Sequence, residues 1–277
     1  MQVGLINNFD NRTAPEVIWQ IDQFKAGHLA ELWLVTPHED AIDIANHLDL
    51  PLDKIFDLSS QTYLSEQADS DGLWFYDLPV PNQAQLVVNP DWTKAIVSSG
   101  RVLADVRWFA NSNRLVQAVS WKNILGEIDR KEIYQRNGRL FARQYFDGGQ
   151  LLQSDFYIGQ DQVVMQDFYF QGNRNYVLDQ ELNHFPNAEE HIKAVMRQRP
   201  DCEIQLCSLG WDLNLALPGT KLALPAGILT ANQEVDPQLK DILQNSNHAV
   251  TTVALNRAAE PAIREAKLPT TKITWLD

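Results

Sequence analysis

Arg139-Leu-Phe-Ala-Arg-Gln-Tyr-Phe146, Asp147-Gly-Gly149 and Gln150-Leu-Leu-Gln-Ser-Asp-Phe-Tyr157 follow one another without a break. Two extended runs, each ending in paired aromatics, flank an Asp-Gly-Gly turn that supplies the positive φ angles a tight hairpin needs. Gln162-Val-Val-Met-Gln-Asp-Phe-Tyr-Phe170 repeats the pattern. Turn signals recur at Asn111-Ser-Asn113, Asn123 to Gly126, Asn137-Gly138, Asp147-Gly148-Gly149, Gly159-Gln-Asp161 and Gln171-Gly-Asn173. Their spacing of roughly 12 residues is the rhythm of an antiparallel array, so residues 85–180 are expected to form a meander of about six or seven strands. Neighbours in a strand face opposite sides, so paired aromatics put rings on both faces. One face must cover a core. The other has rings to offer a ligand or partner, or lies under another element.

The flanks have a different period. Val3-Gly-Leu-Ile6 reads as a short buried strand. Thr13 offers an N-cap oxygen ahead of Pro15 and Glu16, Val17, Ile18, Ile21 and Phe24 follow at helical spacing, and Gly27 suits the helix end. Glu31 to Thr36 reads as a second strand and Pro37 to Leu48 as a second helix. Beyond the meander, helices are expected over 187–199, from Asp236-Pro237 and over 257–267, with strands at 203–207, 221–224, 249–254 and 271–275. A βαβα order on both sides argues one doubly wound parallel sheet with the meander inserted into it. The expected division is a first Rossmann-like part at 1–84, the inserted antiparallel sheet at 85–182, and a second Rossmann-like part at 183–277.

The chain has 277 residues, 44% of them hydrophobic, which is enough for a full core. The net charge of −13 argues against general binding to nucleic acid or anionic membrane. Its distribution is uneven. Ten basic and five acidic residues between Lys94 and Asp147 make that segment about +5, and the remainder about −18. Such a patch is either a solvated sheet face or a contact for an acidic surface. No signal peptide opens the chain, and no apolar run is long enough to span a membrane. Cys202 and Cys207 share a strand on opposite faces, so they are expected as free thiols.

The motifs of small-molecule chemistry are missing. Asn7-Asn-Phe-Asp-Asn-Arg12 follows the first strand with no glycine, where a phosphate cradle needs close backbone approach. The histidines at 28, 38, 47, 184, 191 and 248 form no metal-binding spacing. His38-Glu39-Asp40 reads as the charged first turn of a helix, and Ser208 as a strand-end serine. No catalytic, cofactor or metal residue is assigned.

Trp121, Tyr134-Gln-Arg-Asn-Gly138, Phe141-Ala-Arg-Gln-Tyr145, Phe156-Tyr157, the Gly159 turn and Leu178-Asp-Gln180 carry a resemblance. From Leu78-Pro-Val-Pro81 to Gln180 the chain resembles the stabilising, non-catalytic subunit of the bacterial O-linked N-acetylglucosamine transferase complex, which serves accessory Sec export of serine-rich repeat adhesins. The resemblance implies the Rossmann-like N-terminal half of a GT-B fold, an α/β architecture with the meander inserted. It implies that the C-terminal Rossmann-like domain lies outside this chain, as in an excised half or a truncated homologue. It implies a cytoplasmic protein, with peripheral attachment at the inner membrane face left open. Its partners would be the catalytic transferase and a serine/threonine-rich acceptor. Catalytic relatives share the sheet but typically carry a glycine-rich loop where Asn7 to Arg12 stands, which favours the non-catalytic branch; the alternative is the acceptor-side domain of an active transferase using a UDP-sugar. Rings stacking on sugar faces make Trp108, Trp121, Tyr134, Tyr145, Tyr157 and Tyr169, with Arg139 and Arg143, the candidate partner or acceptor contacts.

Overall fold

The computed structural model describes residues 1–65, 72–112 and 114–276. Asn113, part of an expected turn, and Asp277 lie outside them. The chain opens with β1 (Gln2–Ile6), α1 (Pro15–Lys25), β2 (Glu31–Leu34), α2 (Ala41–His47), β3 (Ile55–Asp57) and β4 (Thr62–Tyr63). Ten strands follow: β5 (Gln85–Val88), β6 (Lys94–Ser98), β7 (Arg101–Trp108), β8 (Val116–Lys122), β9 (Ile128–Tyr134), β10 (Leu140–Asp147), β11 (Gln150–Phe156), β12 (Met165–Phe170), β13 (Asn173–Asp179) and β14 (His184–Phe185). Then come α3 (Ala188–Arg197), β15 (Glu203–Leu206), β16 (Thr220–Leu224), α4 (Pro237–Gln244), β17 (Val250–Asn256), α5 (Glu260–Glu265) and β18 (Ile273–Leu276).

Two compact units result, one of residues 1–38, 48–64 and 192–277, the other of 39–47 and 65–191. In the first, the strand order is β18-β17-β16-β15-β1-β2-β3-β4, and all pairs are parallel except β3 with β4. The order reverses between β1 and β15, which makes that junction the topological switch point of a doubly wound sheet. Apolar runs in the central strands fit burial on both faces, as parallel sheets require. Val3, Leu5, Trp33, Leu206, Leu222 and Val253 form the core with Leu239, Ile242 and Ile263 from the helices. Gln20 of α1 is fully buried at the switch point, and its amide donates to the Gln205 carbonyl at 2.9 Å. Gly4 is required beneath it, since a Cβ there would lie 2.8 Å from the Gln20 amide nitrogen.

Sequence expectations for the helices hold at α3, α4 and α5. Asp236 caps α4 by accepting from the Gln238 N–H at 2.8 Å, and Pro261 falls in the first turn of α5, where its missing N–H costs nothing. Two details differ. The cap of α1 is Ala14, not Thr13, because the preceding residues close a tight turn in which the Ala14 N–H donates to the Asn11 carbonyl. The second helix starts at Ala41 rather than after Pro37. Both cysteines are free, Cys207 buried and Cys202 half-buried. Among the described residues, no helix is long and apolar enough to cross a membrane.

The second unit is a ten-stranded antiparallel sheet running in strict chain order from β5 to β14. The expected count of six or seven strands was low because three hairpins lack the Asn-Gly signature. Trp92 (φ 65°), Ser99 (φ 49°, followed by Gly100 at φ 77°) and Leu182 (φ 61°) take the left-handed conformation at the β5-β6, β6-β7 and β13-β14 turns. Phe75 and Leu78, from the segment before β5, pack on Ile96, Ala104, Val106, Val116 and Val119. Val164, Met165, Val177 and Ala188 form a second small core.

A polar and aromatic face of the inserted sheet

Cross-strand pairing places residues in rows. Ile96, Ala104, Trp121, Arg130, Tyr145, Gln153, Phe168 and Tyr176 are successive partners across β6 to β13. Beside them run Val106, Val119, Glu132, Arg143, Asp155, Gln166, Leu178 and His184. Directly paired residues share a face, and residues two apart on one strand do too, so both rows lie on one side of the sheet. The rows are apolar where the Phe75 segment covers them and polar and aromatic from Trp121 onward.

Glu132 is the hub of the first polar part. Its carboxylate accepts from the Trp121 indole N–H at 2.9 Å and the Tyr134 hydroxyl at 3.3 Å. It also accepts from Arg143 at 3.2 Å and lies 3.8 Å from the Arg130 guanidinium. Arg130 stands over the Trp121 ring at 5.7 Å and Arg143 over the Tyr157 ring at 5.9 Å, within cation–π range. Burial, reinforced by the Glu132 charge, holds the Tyr134 hydroxyl far above its ordinary range, so it stays a neutral donor. Five of the eight expected contact residues, Trp121, Tyr134, Arg143, Tyr145 and Tyr157, therefore share this face.

The other three lie outside this polar part, Trp108 on the same side of the sheet but under the Phe75 segment. Trp108 packs edge-on to Phe75 with centroids 5.5 Å apart, at the border of the apolar core, with the Lys94 ammonium 4.1 Å from its ring. Arg139 sits in the β9-β10 turn and donates to the Gly159 carbonyl at 2.9 Å. Tyr169 lies beyond a register shift in β12, on the opposite face, where its hydroxyl contacts the buried Asp167 at 3.5 Å. Sequence reasoning missed Glu132, Gln153, Asp155 and Gln166. Asp155 is buried and accepts from both glutamine amides at 2.7 Å. Alternation with the aromatics was the one signal available for them.

The basic segment has an acidic surface to meet within its own unit. Arg136 donates to both oxygens of Asp40, at 2.6 and 3.1 Å, and lies 3.1 Å from Asp43 of α2. Gln117 donates to Glu39 at 2.8 Å, and Arg107 approaches it at 4.0 Å. His38 contacts Asp10 at 3.0 Å, while Glu39 and Asp40 meet Gln117 and Arg136.

At the switch point of the parallel sheet, the turn after β1 is closed on itself. The Asp10 N–H donates to the Asn8 side chain at 2.9 Å, the Arg12 N–H to the Phe9 carbonyl at 3.2 Å, and the Thr36 hydroxyl to Asn7 at 2.7 Å. The Phe9 ring is fully buried. After β15, Ser208 donates to Asp212, whose carboxyl is raised by burial and by Glu16. Burial pushes the Cys207 thiol up to about 12, so it is inert as a nucleophile. A turn that spends its polar groups on itself has fewer backbone N–H groups to offer a diphosphate.

Comparison with known proteins bears on both units. Residues 91–186 match the family model described as the GtfB middle domain. Comparison with curated protein sequences finds no match. Among solved structures, a GtfA/B complex bound to UDP and GlcNAc matches with a TM-score of 0.70 at 18% identity, over 100% of this chain and 61% of that one. The Glycosylation Associate Protein (Gap123) complex from Streptococcus agalactiae matches with 0.72 at 13%, over 100% and 60%. The pneumococcal O-GlcNAc transferase GtfA, in complex with UDP and GlcNAc, matches with 0.72 at 11%, again over 100% and 60%. At these identities the likeness establishes the fold, the Rossmann-like N-terminal half of a GT-B arrangement with an inserted antiparallel sheet. The chain spans about three fifths of the length of the structures it matches.

Proposed function

We propose, from the premise that residues 91–186 are a GtfB-type middle domain carried by a GT-B-type nucleotide fold, that this chain belongs to a non-catalytic subunit of a protein O-GlcNAc transferase complex. It pairs with a catalytic transferase, stabilises it, and holds a serine/threonine-rich acceptor during glycosylation. The division at 1–84, 85–182 and 183–277 belongs to this reading, as does a cytoplasmic location. The observation that carries it is the pairing of a GtfB-type sheet with a switch-point turn that is closed and flanked by acids. The Trp121, Tyr134, Arg143, Tyr145 and Tyr157 face is the acceptor surface. Its two guanidinium groups are balanced by Glu132, which both approach, and by Asp155, which leaves a neutral surface suited to hydroxyl-rich chains.

The test is reconstitution with a catalytic transferase from the same cell. The two proteins are expected to elute as one complex, and transfer of GlcNAc to a serine-rich peptide is expected to rise when this chain is added. UDP-sugar turnover by this chain alone should stay at background. Robust transfer without a partner would replace this reading with the acceptor-side domain of an active transferase.

A further inference from the structure

The polar face continues past the Glu132 hub, and its far half was assigned to nothing by the sequence. Gln153, Asp155, Gln166, Phe168 and Tyr176 extend the same two rows across β11, β12 and β13. The Phe168 and Tyr176 rings pack with centroids 5.6 Å apart, and the Tyr176 hydroxyl bonds the His184 ring. Asp155 fixes both glutamine amides. Each amide spends one N–H on Asp155, which leaves it a carbonyl oxygen and a second N–H to offer a ligand.

Charge and spacing identify what fits. Arg130 and Arg143 balance Glu132 and Asp155, so the rows are neutral in a chain of net charge −13. Rings recur on alternate strands in one row, at Trp121, Tyr145 and Phe168, with Arg130 and Gln153 between them. Alternate strands lie about 9.6 Å apart, and three residues of polyproline II chain rise about 9.3 Å. A chain in that extension would bring every third residue over a ring while its backbone amides meet the arginine and glutamine forks. Five strand steps from Trp121 to Tyr176 cover about 24 Å, the length of about eight such residues.

We propose that this face is a binding track on which an uncharged, hydroxyl-rich polypeptide lies across the strands from Trp121 to Tyr176 in polyproline II-like extension. The proposal rests on the acceptor-binding reading and adds its direction, its length and its far half. Binding is through side-chain rows, so it does not use an open sheet edge.

The experiment is a titration of the full-length protein with bare serine/threonine peptides of four, eight and sixteen residues, flanked by glycine. Affinity should rise about tenfold or more from four to eight residues, as stacking and amide contacts are added, and change under about threefold from eight to sixteen. Phe168→Ala should weaken the eight-residue peptide about tenfold and leave the four-residue peptide unchanged. Gln153→Ala, at a half-buried polar position, provides the same comparison if the aromatic variant misfolds. A length plateau at four residues, or indifference of the eight-residue peptide to both variants, overturns the track while acceptor binding itself survives. Indifference is also the result expected of edge-strand pairing. Abolition of peptide binding by free N-acetylglucosamine would make the face a sugar site and overturn the peptide assignment. No binding at any length removes the acceptor reading as well as the track.

Discussion

The strand ends of the parallel sheet and the face of the inserted sheet both gather polar groups, but they satisfy them differently. At the strand ends, side chains chiefly close the backbone of their own loops. Asp57, buried at the end of β3, accepts from the N–H groups of Ser59 and Ser60, and Asn8 closes the turn after β1. Those bonds shape loops and leave the groups spent. On the inserted sheet, side chains bond side chains, as at Glu132 and Asp155, and the forked partners keep donors and acceptors in reserve. A surface of that second kind is rigid before a ligand arrives, so less ordering entropy opposes binding. On the proposed reading, recognition belongs to the insertion rather than to the nucleotide-fold crevice.

The largest expected effect tests whether the insertion depends on its own cover. Phe75→Ala removes a fully buried ring from the β6, β7 and β8 core and should cost about 4 kcal/mol, seen as a large drop in the urea midpoint of the inserted sheet. Equal loss of both units in a single transition would show that they do not unfold independently.

The second effect separates the regions by the sign of their pH dependence. Burial raises the Asp57 carboxyl to about 6 from an ordinary 3.8. The folded state therefore holds a proton the unfolded chain has lost, and this contribution is present below about pH 4 and lost as pH rises through about 6. Burial, then Arg174, lowers His191 to about 4 from 6.5, and its ring nitrogens are buried without partners. Its contribution is present above about pH 6.5 and lost as pH falls through about 4. Each contribution is of order 3 kcal/mol, at 1.36 kcal/mol per unit of pKa shift. Amide exchange between pH 4 and 8 should show β3 gaining protection on acidification and β13 losing it. Asp57→Asn and His191→Leu should each flatten one trend alone, and parallel trends in both strands would break the assignment.

Smaller effects probe single contacts. Arg136→Ala removes the guanidinium that contacts both Asp40 and Asp43 and should cost about 2 kcal/mol, discounted for partial exposure. The loss should shrink at high salt, and a salt-independent loss would point to packing against Phe109 instead. Glu132→Gln keeps an acceptor for Trp121 but removes the charge that holds both arginines. Peptide affinity should fall about tenfold, roughly 1.4 kcal/mol, by calorimetry. Tyr169→Phe, on the opposite face, should change that affinity by less than about twofold. Equal effects at both positions would show that the face is not the surface that binds.

Much of this was legible in the residues. The Asp147-Gly148-Gly149 turn and its flanking runs announce hairpins because positive φ and period-two alternation are local properties. The missing glycines after β1 announce the loss of a phosphate cradle for the same reason. Strand number was underestimated because Trp92 and Leu182 hold left-handed turns by context rather than by intrinsic preference, and because Ser99-Gly100 lacks the Asn or Asp that marks the other turns. Tyr169 was grouped with Tyr145 because the pairing of Tyr145 with Gln153 and of Gln153 with Phe168, which puts Phe168 rather than Tyr169 on that face, is a property of strand register and is not written in any one strand.

The sequence by itself determined that an antiparallel array interrupts a parallel nucleotide fold, since backbone conformation and side-chain period are set by neighbours a few residues away. Only the tertiary structure decided which aromatics share a face, that Glu132 ties them together, and that Glu39, Asp40 and Asp43, at the start of α2 and just before it, are the acids the basic segment meets. Those facts depend on register between strands and on contacts between residues up to 96 positions apart, as for Arg136 and Asp40, where no local preference reaches.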